Sequence, residues 1–319
     1  VGVISDTGRT LDQIETVPYE QAFLIGDLLT TSITMLSGEP KAGKTLLAAG
    51  MAIALINGHS EFLGLPVHQR LDRIIFGVTD EGASAELKAR LTGAVPDNSV
   101  TVFPVEDTGR DGFWASVLED LVQMRPGLFV LDNVIGALSP GEDISEPSAA
   151  ARFMRSVRPI SSAGIPVLLV THTPKGTAEG MSVASSPIGG RQFGAAARSL
   201  ITLRKSGKKG RRIQTAINRA REELDLKVTV RRATVDSEVP LWEREETRPN
   251  VVPLHDAKSW HLGLADRIVR EQPTETSIKG LAHKYAQDVG RKPETIRPKL
   301  AELLTRSGSR WVRKSTEAA

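Results

Sequence analysis

"SITMLSGEPKAGKTLLAAGMAIALI", from Ser32 to Ile56, is the stretch from which the fold follows. Its first six residues have strand character, and an alanine- and leucine-rich run from Lys44 to about Ile56 reads as a helix. Between them Gly38, Gly43, Lys44 and Thr45 match G-x-x-x-x-G-K-[ST] with nothing missing. Each residue type has a physical job in such a loop. Glycines let the backbone turn so that successive N–H groups point inward as an anion nest. The helix beginning near Lys44 adds its positive end. Lys44 can reach the β- and γ-phosphates as a point charge, and the Thr45 hydroxyl suits Mg²⁺. A nucleoside triphosphate site is expected, lined by Gly38, Glu39, Pro40, Lys41, Ala42, Gly43, Lys44, Thr45 and Leu46.

Short apolar runs alternate with helical patterns on the C-terminal side of this loop. "RIIFGVTD" (Arg73 to Asp80), "VTVFPV" (Val100 to Val105), "GLFVLD" (Gly127 to Asp132) and "IPVLLVTH" (Ile165 to His172) read as four further strands. Five such strands separated by helices predict an α/β fold with a mainly parallel sheet, covered on both faces. Asp132 ends a buried strand, where ligands bind in open α/β sheets, and is the expected metal residue beside Thr45. The next residue is Asn133 and not Glu, so a water-activating carboxylate must come from elsewhere. Asp80 and Glu81 are the candidates, Glu81 the preferred base. Acids also favour the start of a helix, where both stand.

The texture changes after His172. "TPKGTAEGMSVASSPIGGRQFG" is rich in Gly, Ser and Thr and reads as a long loop. "SLITLRK", "RRIQTAINRA" and "DLKVTVRRATV" alternate like antiparallel strands. Residues 236–256 turn to Pro, Glu and Arg and read as a linker. The resulting division is an arm at 1–30, an ATPase-type domain at 31–235, the linker, and a small domain at 257–319.

Composition narrows the chemistry. There is no cysteine, which excludes disulfides, zinc fingers and thiol catalysis together. No apolar run approaches the roughly 18 residues of a membrane span, and no basic-plus-apolar leader marks the chain for export. A cytoplasmic protein without a membrane partner is expected. Charge is uneven: 258–319 holds 13 Lys and Arg against 7 Asp and Glu, while the whole chain sums to +3. With the block "RKSGKKGRR" (Arg204 to Arg212), this suggests a nucleic-acid footprint.

The arrangement resembles the RecA/DnaB superfamily, and most closely the RepA-like replicative helicase ATPases of plasmids and phages. The loop segment, "TDEGASAELKARL", "FVLDNV", "VLLVTHTPKG" and "GGRQFGAAARSLITLRK" carry the resemblance, over roughly 22–235. It implies a RecA-like P-loop core that hydrolyses ATP with Mg²⁺, with Glu81 as base and His172 as sensor. It further implies a homo-oligomer, a hexameric ring, whose sites are completed by a neighbour's arginines; Arg198, Arg219 and Arg221 are the candidates. Single-stranded DNA would pass the central loops, held by Lys175 and backbone groups of 176–190, with Phe193 as the one aromatic nearby. Two departures stand out. Thr171 and Thr173 flank His172 where the family has a second histidine or glutamine. Arg219 and Arg221 replace a Lys-x-Arg pair. A regulatory DNA-binding switch and a recombination filament use the same kind of core and stay open.

The C-terminal segment reads as helix, turn, helix and a short basic strand. Leu281, Ala282 and Tyr285 share one face, and Ile296, Leu300, Leu303 and Leu304 form a stripe on the second helix. This is similar to a winged helix-turn-helix with "SGSRWVRK" as its wing, and Lys292, Arg297 and Lys299 near the recognition helix. Pro298 should kink or restart that helix. Duplex DNA or a protein is the expected partner there.

Overall fold

A computed structural model describes residues 7–144, 146–173, 197–207, 210–217, 220–245, 260–286 and 291–314. The chain divides into two compact units, 1–245 and 246–319. The larger contains a nine-stranded sheet. In chain order its elements are α1 (Tyr19–Ala22), β1 (Phe23–Ile25), β2 (Leu29–Thr30), β3 (Ile33–Gly38) and α2 (Lys44–Asn57). A small hairpin, β4 (Glu61–Phe62) and β5 (Leu65–Pro66), precedes β6 (Ile74–Val78), α3 (Ala83–Leu91), β7 (Val100–Pro104) and α4 (Phe113–Met124). Then come β8 (Leu128–Asp132), α5 (Pro147–Ser162), β9 (Val167–His172), β10 (Ser199–Ser206), β11 (Gly210–Ile217), β12 (Asp225–Arg232) and β13 (Pro240–Arg244).

The strand order is β13-β12-β11-β10-β3-β9-β8-β6-β7. Six strands, β10 through β7 in that order, are parallel, and β11 to β13 extend the sheet antiparallel. The five strands read from the sequence are all present and parallel. β10, expected among antiparallel strands, pairs parallel with β3 on one side and antiparallel with β11 on the other. β3 sits centrally and is buried along its length, which is why its six residues read as an uninterrupted run. Helix α2 buries ten of its fourteen residues, so its apolar character all round marks a core helix. Gly58, at φ 64°, ends it in the left-handed conformation that glycine adopts without strain.

Two boundaries differ from the sequence reading. Residues 23–30 are not an arm: Phe23, Leu24, Ile25, Leu28 and Leu29 are fully buried in the larger unit. Residues 240–244 are not linker but the edge strand β13, with Pro240 and Trp242 buried and Leu241, Glu243 and Arg244 exposed. An edge strand with charges outward and proline at its first residue avoids pairing with other chains, and that composition also imitates a linker.

The smaller unit has α6 (Trp260–Glu271), α7 (Ile278–Lys284), α8 (Pro293–Leu303) and a hairpin of β14 (Leu304–Ser307) and β15 (Arg310–Arg313). Its core includes Leu264, Ile268, Leu281, Tyr285, Ile296, Leu300 and Trp311. The expected helix faces are the buried ones, with Leu303 only partly covered. Helix α8 runs through Pro298 without stopping. The carbonyl that loses its bond is that of Glu294, on the exposed side, where water can serve it.

Candidate functional site

The phosphate loop leaves the C-terminal end of β3, so its backbone is aimed by a strand held on both sides. Gly43, at φ 102°, starts α2 in a conformation that side chains other than glycine rarely adopt. Gly38 is needed for another reason. A Cβ there would stand 2.5 Å from the Leu203 carbonyl oxygen of β10. Thus one glycine supplies a turn and the other a close approach.

Lys44 is buried, and its ammonium donates to the carbonyl oxygens of Gly38 (3.0 Å) and Glu39 (3.1 Å). It also lies 3.1 Å from His172 Nδ1. An ammonium only donates, so Nδ1 accepts and the proton of neutral His172 sits on Nε2. Burial pulls Lys44 down to about 8, opposed by the negative charges of Asp132 and Asp80. Burial, and then the Lys44 charge, lower His172 from its ordinary value. Both shifts describe a cationic, water-poor corner at the head of β3 and β9.

Thr45 Oγ1 donates to Asp132 Oδ2 at 2.6 Å, which brings the two expected metal residues side by side. Burial raises the Asp132 carboxyl, against the lowering effects of the Thr45 hydroxyl and of Lys44. Among the described residues no group of three or more His, Asp or Glu could cage a metal. Mg²⁺ does not need one: it keeps several waters and takes one or two protein oxygens plus phosphate oxygens. A hydroxyl and a carboxylate next to an anion nest fit that requirement.

The carboxylate pair is split by its surroundings. Asn133, buried, donates from Nδ2 to Asp80 Oδ1 at 3.0 Å and accepts the Gly136 N–H on its own Oδ1 at 3.0 Å. Its backbone N–H donates to Thr79 Oγ1. Asp80 is thereby held toward Asp132, whereas Glu81 is exposed and makes no hydrogen bond or ion pair among the described residues. Asn133 is a residue the sequence reading passed over, because an amide in a catalytic acid's place looks like an absence.

Arg198 and Arg221 fall at the opposite end of the sheet. Exposed Arg198 donates its backbone N–H to Ile33 at the start of β3. Five residue steps separate that point from Gly38, roughly 17 Å of strand, beyond the reach of an arginine side chain. Arg221 lies at the same end: its guanidinium stacks 3.9 Å from the Tyr19 ring centroid and pairs with Glu20 at 3.1 Å. Neither can touch a phosphate held in its own loop. Arg219, Lys175, the 176–190 loop and Phe193 lie outside the described residues.

Two residues missed in the sequence clamp the loop from the antiparallel strands. Arg211 of β11, half-buried, donates Nε–H to the Ala42 carbonyl at 2.6 Å. Trp242 of β13 donates its indole N–H to the Leu46 carbonyl at 2.9 Å and covers Gly50, where a Cβ would meet the ring at 2.6 Å. Arg211 was one cation in a basic block with no spacing to distinguish it. Trp242 left no such signal either, because its neighbour Leu241 is apolar in sequence yet exposed. Removing the charge-assisted bond in Arg211→Ala is expected to weaken Mg·ATP binding about tenfold, the equivalent of about 1.5 kcal/mol. Titration calorimetry on that variant, beside Arg211→Lys as the partly restored form, measures it.

A family model described as an AAA domain matches residues 6–178, more than half of the chain, and no curated protein matches.

Proposed function

Because the chain belongs to this AAA-domain family of P-loop ATPases, we propose that it is a Mg²⁺-dependent ATPase working on DNA. The specific form is a ring helicase or translocase of the RecA/DnaB type, of the RepA-like kind, serving replication of a mobile element in the cytoplasm. Lys44 neutralises the β- and γ-phosphates, Thr45 and Asp132 hold the metal and its water shell, and Glu81 orients the attacking water. His172, in contact with Lys44, couples the phosphate site to the segment that follows β9. No helix among the described residues is long and apolar enough to cross a membrane.

One observation supports assembly above the others. The phosphate loop and the basic residues Arg198 and Arg221 occupy opposite ends of the same strands. A subunit that stacks its arginine end on a neighbour's loop end completes that neighbour's site, and repetition of this heterologous contact gives a ring, a hexamer in this reading, where the rotation closes and a filament where it does not. Single-stranded DNA then passes the loops that line the pore.

The test is complementation. A variant lacking Arg198, Arg219 and Arg221 is inactive alone yet keeps a sound loop, and Lys44→Ala is its complement. Mixing the two restores part of the ATPase at mixed interfaces, since a trans arginine contributes roughly 10³-fold in rate. A mixture that co-assembles and stays inactive removes the motor reading. The second reading, a DNA-binding regulatory switch, then leads; a C-terminal unit with a core of its own favours it. A recombination filament built on the same core is the remaining alternative, and an image of the assembly distinguishes filament from ring.

A further inference from the structure

Arg198 and Arg221 stand at the same end of the sheet but are held differently. Exposed Arg198 bonds through its backbone alone, and its side chain makes no hydrogen bond or ion pair among the described residues. Arg221, between β11 and β12, is fixed twice over. Its backbone N–H donates to Asp27 Oδ1 at 2.9 Å, and its guanidinium carbon lies 3.9 Å from the centroid of the Tyr19 ring. The negative face of an aromatic ring attracts a guanidinium, whose flat, weakly hydrated shape suits stacking.

The ring is itself anchored. Tyr19, the first residue of α1, donates from Oη to the same Asp27 oxygen at 2.7 Å. Phe23 packs against the ring with centroids 4.8 Å apart, and His68 meets it edge-on at 5.7 Å. Gly26 leaves the phenol its place, since a Cβ there would stand 3.2 Å from the oxygen. Burial first, and then the bond to Asp27, push the phenol up to about 12, so it stays a donor across the neutral range. One carboxylate oxygen thus accepts both from the Arg221 backbone and from the ring that faces its side chain.

Acids compete for the guanidinium. Glu20 pairs with it at 3.1 Å, and exposed Glu222 and Glu223 follow it in the chain. Both partners of the Glu20 pair are exposed, so that pair is weak and salt-sensitive. A triphosphate brought up by another subunit carries more charge than Glu20 and can take the guanidinium from it, while the ring beneath stays where it is.

We propose that Tyr19 is a positioning residue: tied to Asp27, it presents Arg221 ready-placed to the triphosphate of a neighbouring subunit. The role rests on the preceding reading, in which a neighbour's arginine completes each site, and it singles out Arg221 as the arginine held in advance. A charged group already in place needs no ordering when the transition state forms, and a misplacement of about 1 Å can cost about 10²-fold in rate.

The experiment is steady-state ATP hydrolysis by the full chain, at protein concentrations where the rate per subunit has become constant. Arg221→Ala lowers kcat about 10³-fold. Tyr19→Leu lowers kcat about ten- to hundredfold and leaves KM within about twofold, as expected for a group that acts only in the transition state. Tyr19→Met, which fills the space without a ring face, does the same, and Tyr19→Phe, which keeps the ring, stays within about threefold of wild type. Adding Tyr19→Leu to Arg221→Ala costs less than about twofold more, because the ring acts through that arginine alone. Wild-type turnover in Arg221→Ala removes the trans-arginine reading and this role with it. Loss in Arg221→Ala with full activity in both Tyr19→Leu and Tyr19→Met overturns the positioning role alone. So does a loss in Tyr19→Phe as deep as in Tyr19→Leu, or a full further loss in the double variant, either of which marks a structural contact instead.

Discussion

Replacing Lys44 by alanine lowers ATP hydrolysis below about 1% of the wild-type rate and leaves the protein folded. The side chain is buried at the loop and is not part of the hydrophobic core. Its ammonium stands over two loop carbonyls and His172. Burial costs that ammonium enough to bring it down to about 8, so the lysine is kept there against its own solvation. Alanine removes that cost along with the bonds, and the Gly38 carbonyl keeps the Thr173 N–H as its donor at 3.2 Å. Stability should therefore change little while the charge that meets the phosphates is lost. Thermal unfolding beside a steady-state phosphate-release assay measures both. Turnover within a factor of two of wild type would remove the phosphate-loop assignment altogether.

Glu81→Gln should keep nucleotide binding and reduce hydrolysis by a factor on the order of 10² or more, since it removes a base without changing size. The two neighbouring carboxylates make opposite claims. Resemblance assigns the role to Glu81, which the structure leaves exposed and unpaired among the described residues. Geometry draws Asp80 toward Asp132 through the Asn133 amide. An oriented carboxylate next to Asp132 can position water, whereas an unpaired one is free to meet a water above the γ-phosphate. Single-turnover hydrolysis of Glu81→Gln and Asp80→Asn, with binding measured separately, decides between them. Normal hydrolysis in the first and loss in the second would transfer the role to Asp80. Asp132→Asn should instead weaken binding only when Mg²⁺ is present.

The phosphate loop was legible because its function rests on local geometry: a strand, a turn that glycine permits, a helix start and two short side chains. Asp132 was legible because a buried strand that ends in an acid can aim it at only one edge of an open sheet. The five parallel strands followed from burial on both faces, which leaves an apolar run that no surface element shows. Those features are encoded over a few consecutive residues.

Other features were settled by contacts between residues far apart in the chain. Trp242 lies in a stretch as rich in charge as any linker, and only its packing on Gly50 of α2 shows that the stretch is a strand. Gly38 reads as a turn glycine, yet its need is set by the Leu203 carbonyl on another strand. Arg211 is one of several cations in sequence and becomes distinct through a single carbonyl of the loop. Phe23 to Leu29 are weakly patterned because a segment that enters the core on all sides has no period to display. The sequence alone determined the local geometry at the head of β3: the strand, the glycine turn and the helix start that carries Lys44 and Thr45. Tertiary structure decided what holds that geometry in place and at which end of the sheet Arg198 and Arg221 stand. Strand direction and pairing across more than a hundred residues leave no trace in local spacing.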